Sequence, residues 1–278
     1  MRIRRRALAA GWYPQDAPSI RRLVEGWGPP STKATGKAAI APHAGWTFSG
    51  RLASIAWSAI AEVETVVVVG GHLSPSSPVL VAPEDAFETP FGTLSADLEL
   101  GARLAEAMAE AKLRSAPDRD VDNTVEVQLP FAGLYAKKAR VLWLRAPASP
   151  AAIALGEAIH EAAASLGRRV AVIGSTDLTH YGPDYGFEPA GSGAEAERWV
   201  RDVNDRAFLD ALLAMDAATA IRRAREDGSA CSPGAAAAAL SFALAEGAAS
   251  VGELAYATSL DIRRAPSFVG YAALASLQ

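Results

Sequence analysis

Three of the chain's four histidines follow strongly apolar segments. His43 comes after IAP, His72 after VGG, and His180 lies in the polar turn that follows the apolar run 170–173. In an open α/β sheet the carboxyl ends of the strands meet at one edge, so polar turns that are distant in sequence come together there. We therefore expect these three imidazoles to share one site.

The single cysteine, Cys231, could complete a metal site with these histidines. It precedes SPG at 232–234, a predicted helix start, where unpaired N–H groups and the helix dipole favour a thiolate. Imidazole and thiolate suit borderline metals such as Zn²⁺, Fe²⁺ and Cu²⁺. No HxxxH or CxxC pair is present, so this interpretation depends on strand-end placement. Alternatively, each histidine stabilises its own loop by hydrogen bonding, and the cysteine is a small buried apolar residue.

Asp177 stands three residues before His180 in STDLTHYG at 175–182. A carboxylate at this distance can orient an imidazole or raise its pKa, which is how enzymes prepare a general acid or base. The competing interpretation is an aspartate that caps the turn and a histidine that bonds to the backbone. Because the segment ends a core strand and is polar, we predict a catalytic role for both residues.

Further polar residues occur in DNTVEVQLPF at 122–131, near a predicted helix start. Glu126 can enter the site as a carboxylate, and Gln128 can hydrogen-bond a substrate. Helix capping with a solvated acidic face explains the same spacing, and the sequence does not decide between the two. His160 differs, because it lies in an amphipathic helical stretch and is expected at the surface.

Composition narrows the class of protein. The 278 residues are 50% hydrophobic, which is enough for one large core. A net charge of -4 gives no general electrostatic reason to bind nucleic acid or an anionic membrane, and no apolar run approaches the ~18 residues that a membrane span needs. One cysteine excludes an intramolecular disulfide, which suits a reducing compartment, so we predict a cytoplasmic protein. The basic start, RIRRR at 2–6, is interpreted as a solvated strand or arm.

Hydrophobic runs alternate with helical periodicity along the chain. The runs, several rich in β-branched residues, predict buried strands over 38–41, 65–69, 139–144 and 169–173. Helices are predicted over 51–62, 96–113, 150–166, 194–215, 216–226 and 233–246, and a closing strand pair over 250–258 and 267–274. This alternation predicts a single α/β domain over 1–278, with a mostly parallel central sheet and helices on both faces.

Several short motifs occur in a characteristic order along the chain. They are APHAGWTFSG (41–50), GGH (70–72), ETPFG (88–92), EVQLPF (126–131), STDLTHYG (175–182), YATS (256–259) and FVGYA (268–272). In these motifs the chain resembles the Memo-like family, whose bacterial and archaeal members are called AmmeMemoRadiSam system protein B, from about residue 11 to its C-terminus.

This resemblance implies a fold and a set of site residues. The family is similar in fold to class III extradiol dioxygenases, which bind Fe(II) through two histidines and a carboxylate. The metal ligands would then be His43, His72 and Cys231, with Asp177 and His180 beside them and His180 in the acid/base position. The family commonly has a histidine where this chain has Asn123. A cysteine in place of the dioxygenase carboxylate also changes the softness of the ligand set.

The resulting functional hypothesis is a metal-binding protein that acts as an iron- or copper-dependent redox enzyme on a small molecule, with zinc as a further metal. Substrate-binding positions are predicted at Asn123, Glu126, Gln128 and Tyr181. The alternative is a protein without turnover that sequesters metal or docks a peptide in the same cleft. Metal-dependent oxygen consumption would favour the first hypothesis, and metal-free peptide binding would favour the second.

Overall fold

A mixed nine-stranded sheet forms the centre of the computed structural model, which describes residues 1–28 and 36–277. A separate three-stranded sheet lies beside it. The strands are β1 Ile3–Arg4, β2 Ala38–Ala41, β3 Thr65–Gly70, β4 Val79–Val81, β5 Ala86–Thr89, β6 Gly92–Ser95, β7 Ser115–Pro117, β8 Arg140–Arg145, β9 Val170–Ser175, β10 His180–Tyr181, β11 Ser250–Thr258 and β12 Phe268–Leu277.

The order of the large sheet is β10-β12-β2-β9-β3-β8-β4-β7, with β11 paired to β12. Its central strands β2, β9, β3 and β8 are all parallel, and β10, β11 and β12 add antiparallel pairs on one side. Ala41 pairs with Ser175, and Val69 with Gly174, so the carboxyl ends of β2, β9 and β3 are level. The α/β prediction and the predicted pairing of the last two strands are confirmed.

Helices cover both faces of this sheet. Alternate side chains of β3 belong to different cores: Val67 and Val69 pack on one face, Val66 and Val68 on the other. This is the two-sided burial expected of a parallel strand with helices on both sides. The helices are α1 Ala17–Gly26, α2 Trp46–Ser58, α3 Leu98–Glu110, α4 Asn123–Glu126, α5 Leu129–Tyr135, α6 Ala151–Ser165, α7 Gly193–Trp199, α8 Asp205–Leu213, α9 Ala217–Asp227 and α10 Pro233–Ala245.

Helix α10 is buried on every side over residues 233–243 and brings Cys231 to the sheet edge. Proline at its first position suits a helix start, because the missing N–H would have no partner there. Its alanines allow close packing, and at Gly234 a Cβ would overlap the Pro147 carbonyl. The residues just before α10 are therefore pressed against the ends of the central strands.

The predicted helix over 194–215 is interrupted. A π-helical turn, Val200–Asn204, separates α7 from α8. The basic start of the chain forms β1, which pairs in parallel with β5 in the small sheet, in agreement with the predicted strand or arm. Short strands β4 to β7 were not predicted, because runs of three or four residues give little periodicity. Within residues 1–28 and 36–277, none of the helices has the length and apolar character that crossing a membrane requires.

Candidate metal centre

His43, His72 and Cys231 come together at the carboxyl ends of β2 and β3. Their potential ligand atoms all lie within 4.8 Å of one another. His43 Nε2 is 3.2 Å from Cys231 Sγ, and the two imidazole rings meet edge to face with centroids 5.0 Å apart. A tetrahedral metal with bonds of about 2.1 Å to nitrogen and 2.3 Å to sulfur separates its ligand atoms by about 3.4–3.6 Å. The three side chains thus fit one metal ion.

His43 is held from behind by two buried polar side chains. Its Nδ1 lies 3.1 Å from Ser175 Oγ, which leaves Nε2 directed at Cys231. Gln128 Nε2 donates to the same Ser175 Oγ and to the Pro42 carbonyl, at 3.1 and 2.8 Å. Such partners fix the ring of a metal-binding histidine.

His72 is held by a carboxylate and by its backbone. Its Nδ1 lies 3.2 Å from Asp122 Oδ2, so Nε2 is again the nitrogen available to a metal. The hydrogen bond to Asp122 and contact with Cys231 raise the pKa of His72 to about 9. Burial opposes ionisation of Asp122, but the hydrogen bonds from His72 and Thr124 outweigh it and lower the pKa of Asp122 to about 2. His72 has a φ of 55°, a left-handed conformation that histidine adopts only uncommonly.

The approach of Cys231 to the histidines depends on Gly71. A Cβ at Gly71 would overlap the Ser232 side chain, so β3 and the start of α10 meet here without a side chain between them. The backbone N–H of His72 donates to Ser232 Oγ at 3.2 Å, and that of Cys231 to the Asp177 carbonyl at 3.2 Å. These contacts tie together the segments that carry the three residues.

His180 lies near these ligands, but the Leu178 carbonyl orients its ring, whereas the sequence predicts that Asp177 does so. Its Nδ1 lies 3.1 Å from the Leu178 carbonyl, which can only accept, so Nδ1 carries the hydrogen and Nε2 is the free base in the neutral ring. Burial lowers the pKa of His180, although the nearby Asp177 opposes this shift. Asp177 does not hydrogen-bond to His180. Its Oδ1 instead accepts from the N–H groups of His43 and Ala44, at 2.6 and 3.3 Å.

An open cavity of about 430 Å³ lies in front of these residues. His43, His72, Asp177 and His180 are among its lining residues, and four aromatic side chains also line it. Asn123 also lines the cavity, and its Nδ2 donates to the His43 carbonyl at 3.1 Å. The remaining lining residues are Trp12, Ala44, Gly45, Phe48, Asp184, Tyr185, Ser259, Arg263, Ala265, Ser267, Val269 and Tyr271.

The other three predicted substrate-binding residues do not line this cavity. Glu126 and Gln128 are buried and bonded to protein groups: Glu126 holds the N-terminal segment, and Gln128 lies beneath His43. Tyr181 donates its hydroxyl hydrogen to the Gly191 carbonyl inside an aromatic cluster. His160 is half-buried and pairs with Glu246 at 2.7 Å. Glu246 also pairs with Lys37, which precedes β2, at the other end of this strand from His43.

Sequence reasoning missed the groups that orient the ligands. Ser175 and Asp122 lie in motifs that were recognised, but nothing in their spacing shows which imidazole each one meets. Trp12, Phe48 and Tyr185 were not singled out as cavity residues. The GW pair at 11–12 and Phe48, in the motif APHAGWTFSG, were the available signals.

Comparison with known proteins places the chain in a family. A family model described as Memo-like protein matches residues 4–275. The chain belongs to the Memo-like family. Its Memo-like relatives include MEMO1 family proteins of Thermococcus onnurineus (strain NA1), 33% identical, and Pyrococcus abyssi, 34% identical, each alignment covering 98% of both chains. A MEMO1 family protein of Archaeoglobus fulgidus is 31% identical, again over 98% of both chains.

A solved structure supports the fold of this Memo-like chain. An uncharacterized protein from Escherichia coli K12 superposes with a TM-score of 0.55. The match covers 87% of this chain and 100% of that chain, at 12% sequence identity. Similarity at this level shows the α/β fold alone.

Proposed function

We propose that this protein is a metal-dependent redox enzyme that acts on a small molecule, with an iron or copper ion held by His43, His72 and Cys231. The observation that carries the proposal is the convergence of three ligand atoms within 4.8 Å of one another beside an open cavity, which His43 and His72 line. A site with three protein ligands leaves a coordination position for water or substrate, as catalytic metal sites do.

The ligand chemistry supports this choice of metals. Imidazole and thiolate favour borderline and soft ions over magnesium or calcium, so iron, copper and zinc all suit the centre. Iron or copper held by these residues would supply one-electron redox chemistry. The reducing cytoplasm is the compartment we propose, because it preserves the single thiol that the site requires.

His180 is assigned to proton transfer rather than to metal binding. Its free Nε2 belongs to a ring that burial keeps neutral near pH 7, as a general base requires. The ring packs edge to face on Tyr185, with centroids 4.9 Å apart, which fixes its plane in the cavity wall. A ligand hydroxyl bound beside the metal ligands would give its proton to this nitrogen.

The shape of the cavity supports a small-molecule ligand. A volume of about 430 Å³ lies within the range of about 300–1,000 Å³ that is typical of small-molecule sites. Aromatic walls provide apolar contact, while Asn123 and His180 provide polar groups near the metal ligands. A peptide side chain is the alternative occupant, and turnover separates the two cases.

The first experiment measures metal content in protein purified without oxygen. We expect about one transition metal ion per chain, and a large loss of metal in His43→Ala and His72→Ala with the fold retained by circular dichroism. His160→Ala is the matched control, since it removes a histidine remote from the site and should keep full occupancy. Full occupancy in both site variants would refute the metal assignment.

A second experiment separates redox catalysis from storage. The iron- or copper-loaded protein is mixed with catechol or ascorbate as reductant, and oxygen consumption is followed against the metal-free protein. Consumption that requires the bound metal and falls in His180→Gln supports the enzyme. Stoichiometric metal without oxygen consumption or oxidation of either reductant would favour a protein that sequesters metal.

A further inference from the structure

A buried arginine lies behind His72. Arg145 is the last residue of β8 and only 4% exposed. Its Nε donates to the Gly71 carbonyl at 2.9 Å. This carbonyl belongs to the peptide that joins Gly71 to His72, whose φ of 55° is unusual for a residue with a side chain. Arg145 therefore holds the peptide that joins Gly71 to His72, one of the proposed metal ligands.

The same guanidinium contacts the carboxylate that orients the His72 ring. Its Nη2 lies 3.3 Å from Asp122 Oδ2, and this oxygen is also the one that lies 3.2 Å from His72 Nδ1. Asp118 and Asp120 hold Nη1 at 3.4 and 3.2 Å. The planar guanidinium thus connects three acidic side chains and one carbonyl, an arrangement that the ammonium of lysine cannot reproduce.

We infer that Arg145 is a positioning residue of the metal centre, acting on His72 through the Gly71 carbonyl and through Asp122. This inference rests on the proposed function, because it assigns a role toward the metal that His72 would bind. Asp122 Oδ2 is held by the guanidinium while it contacts the imidazole, and the Gly71 carbonyl is held by Nε of the same side chain. Arg145 therefore fixes the position of both partners and, through them, the direction of His72 Nε2.

The test compares Arg145→Lys with Arg168→Lys, using Co²⁺ as a spectroscopic probe. Arg168 also bridges two carboxylates, Asp97 and Glu99, but it lies away from the cavity. Affinity for Co²⁺ is measured by chelator competition over a pH series and extrapolated to the alkaline limit, so that competition from protons is removed. We expect Arg145→Lys to bind Co²⁺ about 10–100-fold more weakly, which is the usual effect of replacing a residue that supports a metal ligand. We also expect the visible bands of the bound Co²⁺ to shift.

Arg168→Lys should keep both the affinity and the spectrum of the wild type, even where it lowers stability. The inference is overturned when Arg145→Lys binds Co²⁺ within about twofold of the wild type with unchanged bands, or when Arg168→Lys shows the same loss. Failure of the wild type itself to bind Co²⁺ would instead refute the proposed function.

A second variant keeps the test decisive when Arg145→Lys does not fold. Asp122→Asn removes the carboxylate that joins the guanidinium to the imidazole, so its loss of affinity at the alkaline limit should equal or exceed that of Arg145→Lys. A folded Asp122→Asn protein with wild-type affinity and bands would show that no route leads from Arg145 through Asp122 to the metal ligand.

Discussion

Glu126 is the residue whose predicted and observed surroundings differ most, and its replacement by glutamine distinguishes them. Its carboxylate accepts hydrogen bonds from the N–H groups of Ala7 and Leu8, at 2.9 and 3.0 Å, and from the Tyr13 hydroxyl at 2.9 Å. Burial and the Glu126 charge raise the pKa of Tyr13, so this hydroxyl remains a donor. Glu126 therefore fastens the N-terminal segment that carries Trp12 into the cavity wall.

The expected loss of stability follows from the three groups that donate hydrogen bonds to Glu126. In Glu126→Gln the amide oxygen can keep Leu8 and Tyr13, but these bonds change from charged to neutral and weaken by about 1 kcal/mol each. The Ala7 N–H then faces an NH₂ group, which adds about 1 kcal/mol for the lost acceptor. We expect the free energy of unfolding to fall by about 2–4 kcal/mol.

Urea unfolding and limited trypsin digestion check this expectation. Cleavage after the arginines at 4–6 should accelerate in Glu126→Gln, while metal content stays at the wild-type level. Tyr13→Phe serves as the graded control, because it removes one hydrogen bond and should cost about 1 kcal/mol. A stability change below about 0.5 kcal/mol with an unchanged digestion pattern would refute the structural role and return Glu126 to substrate binding.

Three further outcomes are expected. His180→Gln should keep its metal and lose about two to four orders of magnitude in turnover; a metal-free variant would make His180 a ligand. Since the His72 pKa is raised to about 9, a metal must displace a proton at pH 7, so metal affinity in chelator competition should rise about tenfold per pH unit between about pH 7 and 9 and then level off; a flat profile would contradict this. Burial raises the pKa of Asp205 to about 6, above its unfolded value of 3.8, so its contribution to stability declines as pH rises from about 4 to 6. In urea unfolding, the difference in free energy of unfolding between Asp205→Asn and the wild type should accordingly be about 1–2 kcal/mol more in favour of the variant at pH 8 than at pH 5. A difference that does not change with pH would argue against this effect.

The convergence of His43 and His72 was predictable because each of them follows a short apolar run. Such a run indicates a buried parallel strand, and parallel strands end at the same edge of a sheet. The pairing of Ala41 with Ser175 and of Val69 with Gly174 confirms that the strand ends are level. The start of α10 was equally predictable, since proline at its first position is a local feature of the sequence.

The partners of the ligands were not predictable, because they depend on side-chain directions at distant positions. Ser175 meets a histidine 132 residues away, and Asp122 meets one 50 residues away. Glu126 illustrates the same limit. The sequence places it near a helix start, but the partners of its carboxylate, Ala7, Leu8 and Tyr13, lie 113 to 119 residues away in the chain.

The π-helical turn Val200–Asn204 has a consequence for how this region can change by insertion or deletion. An extra residue in a helix rotates everything after it by about 100°, so α7 and α8 present different faces to the same loop. The face of α7 places Trp199 beside the Tyr181 ring, while Asn204 and Asp205 bond Thr179. His180 lies between these two anchors. Removing one residue from 200–203 would restore an ordinary helix. Such a helix can keep the contact between Trp199 and Tyr181 or the bonds to Thr179, but not both. His180 would then lose support on one side.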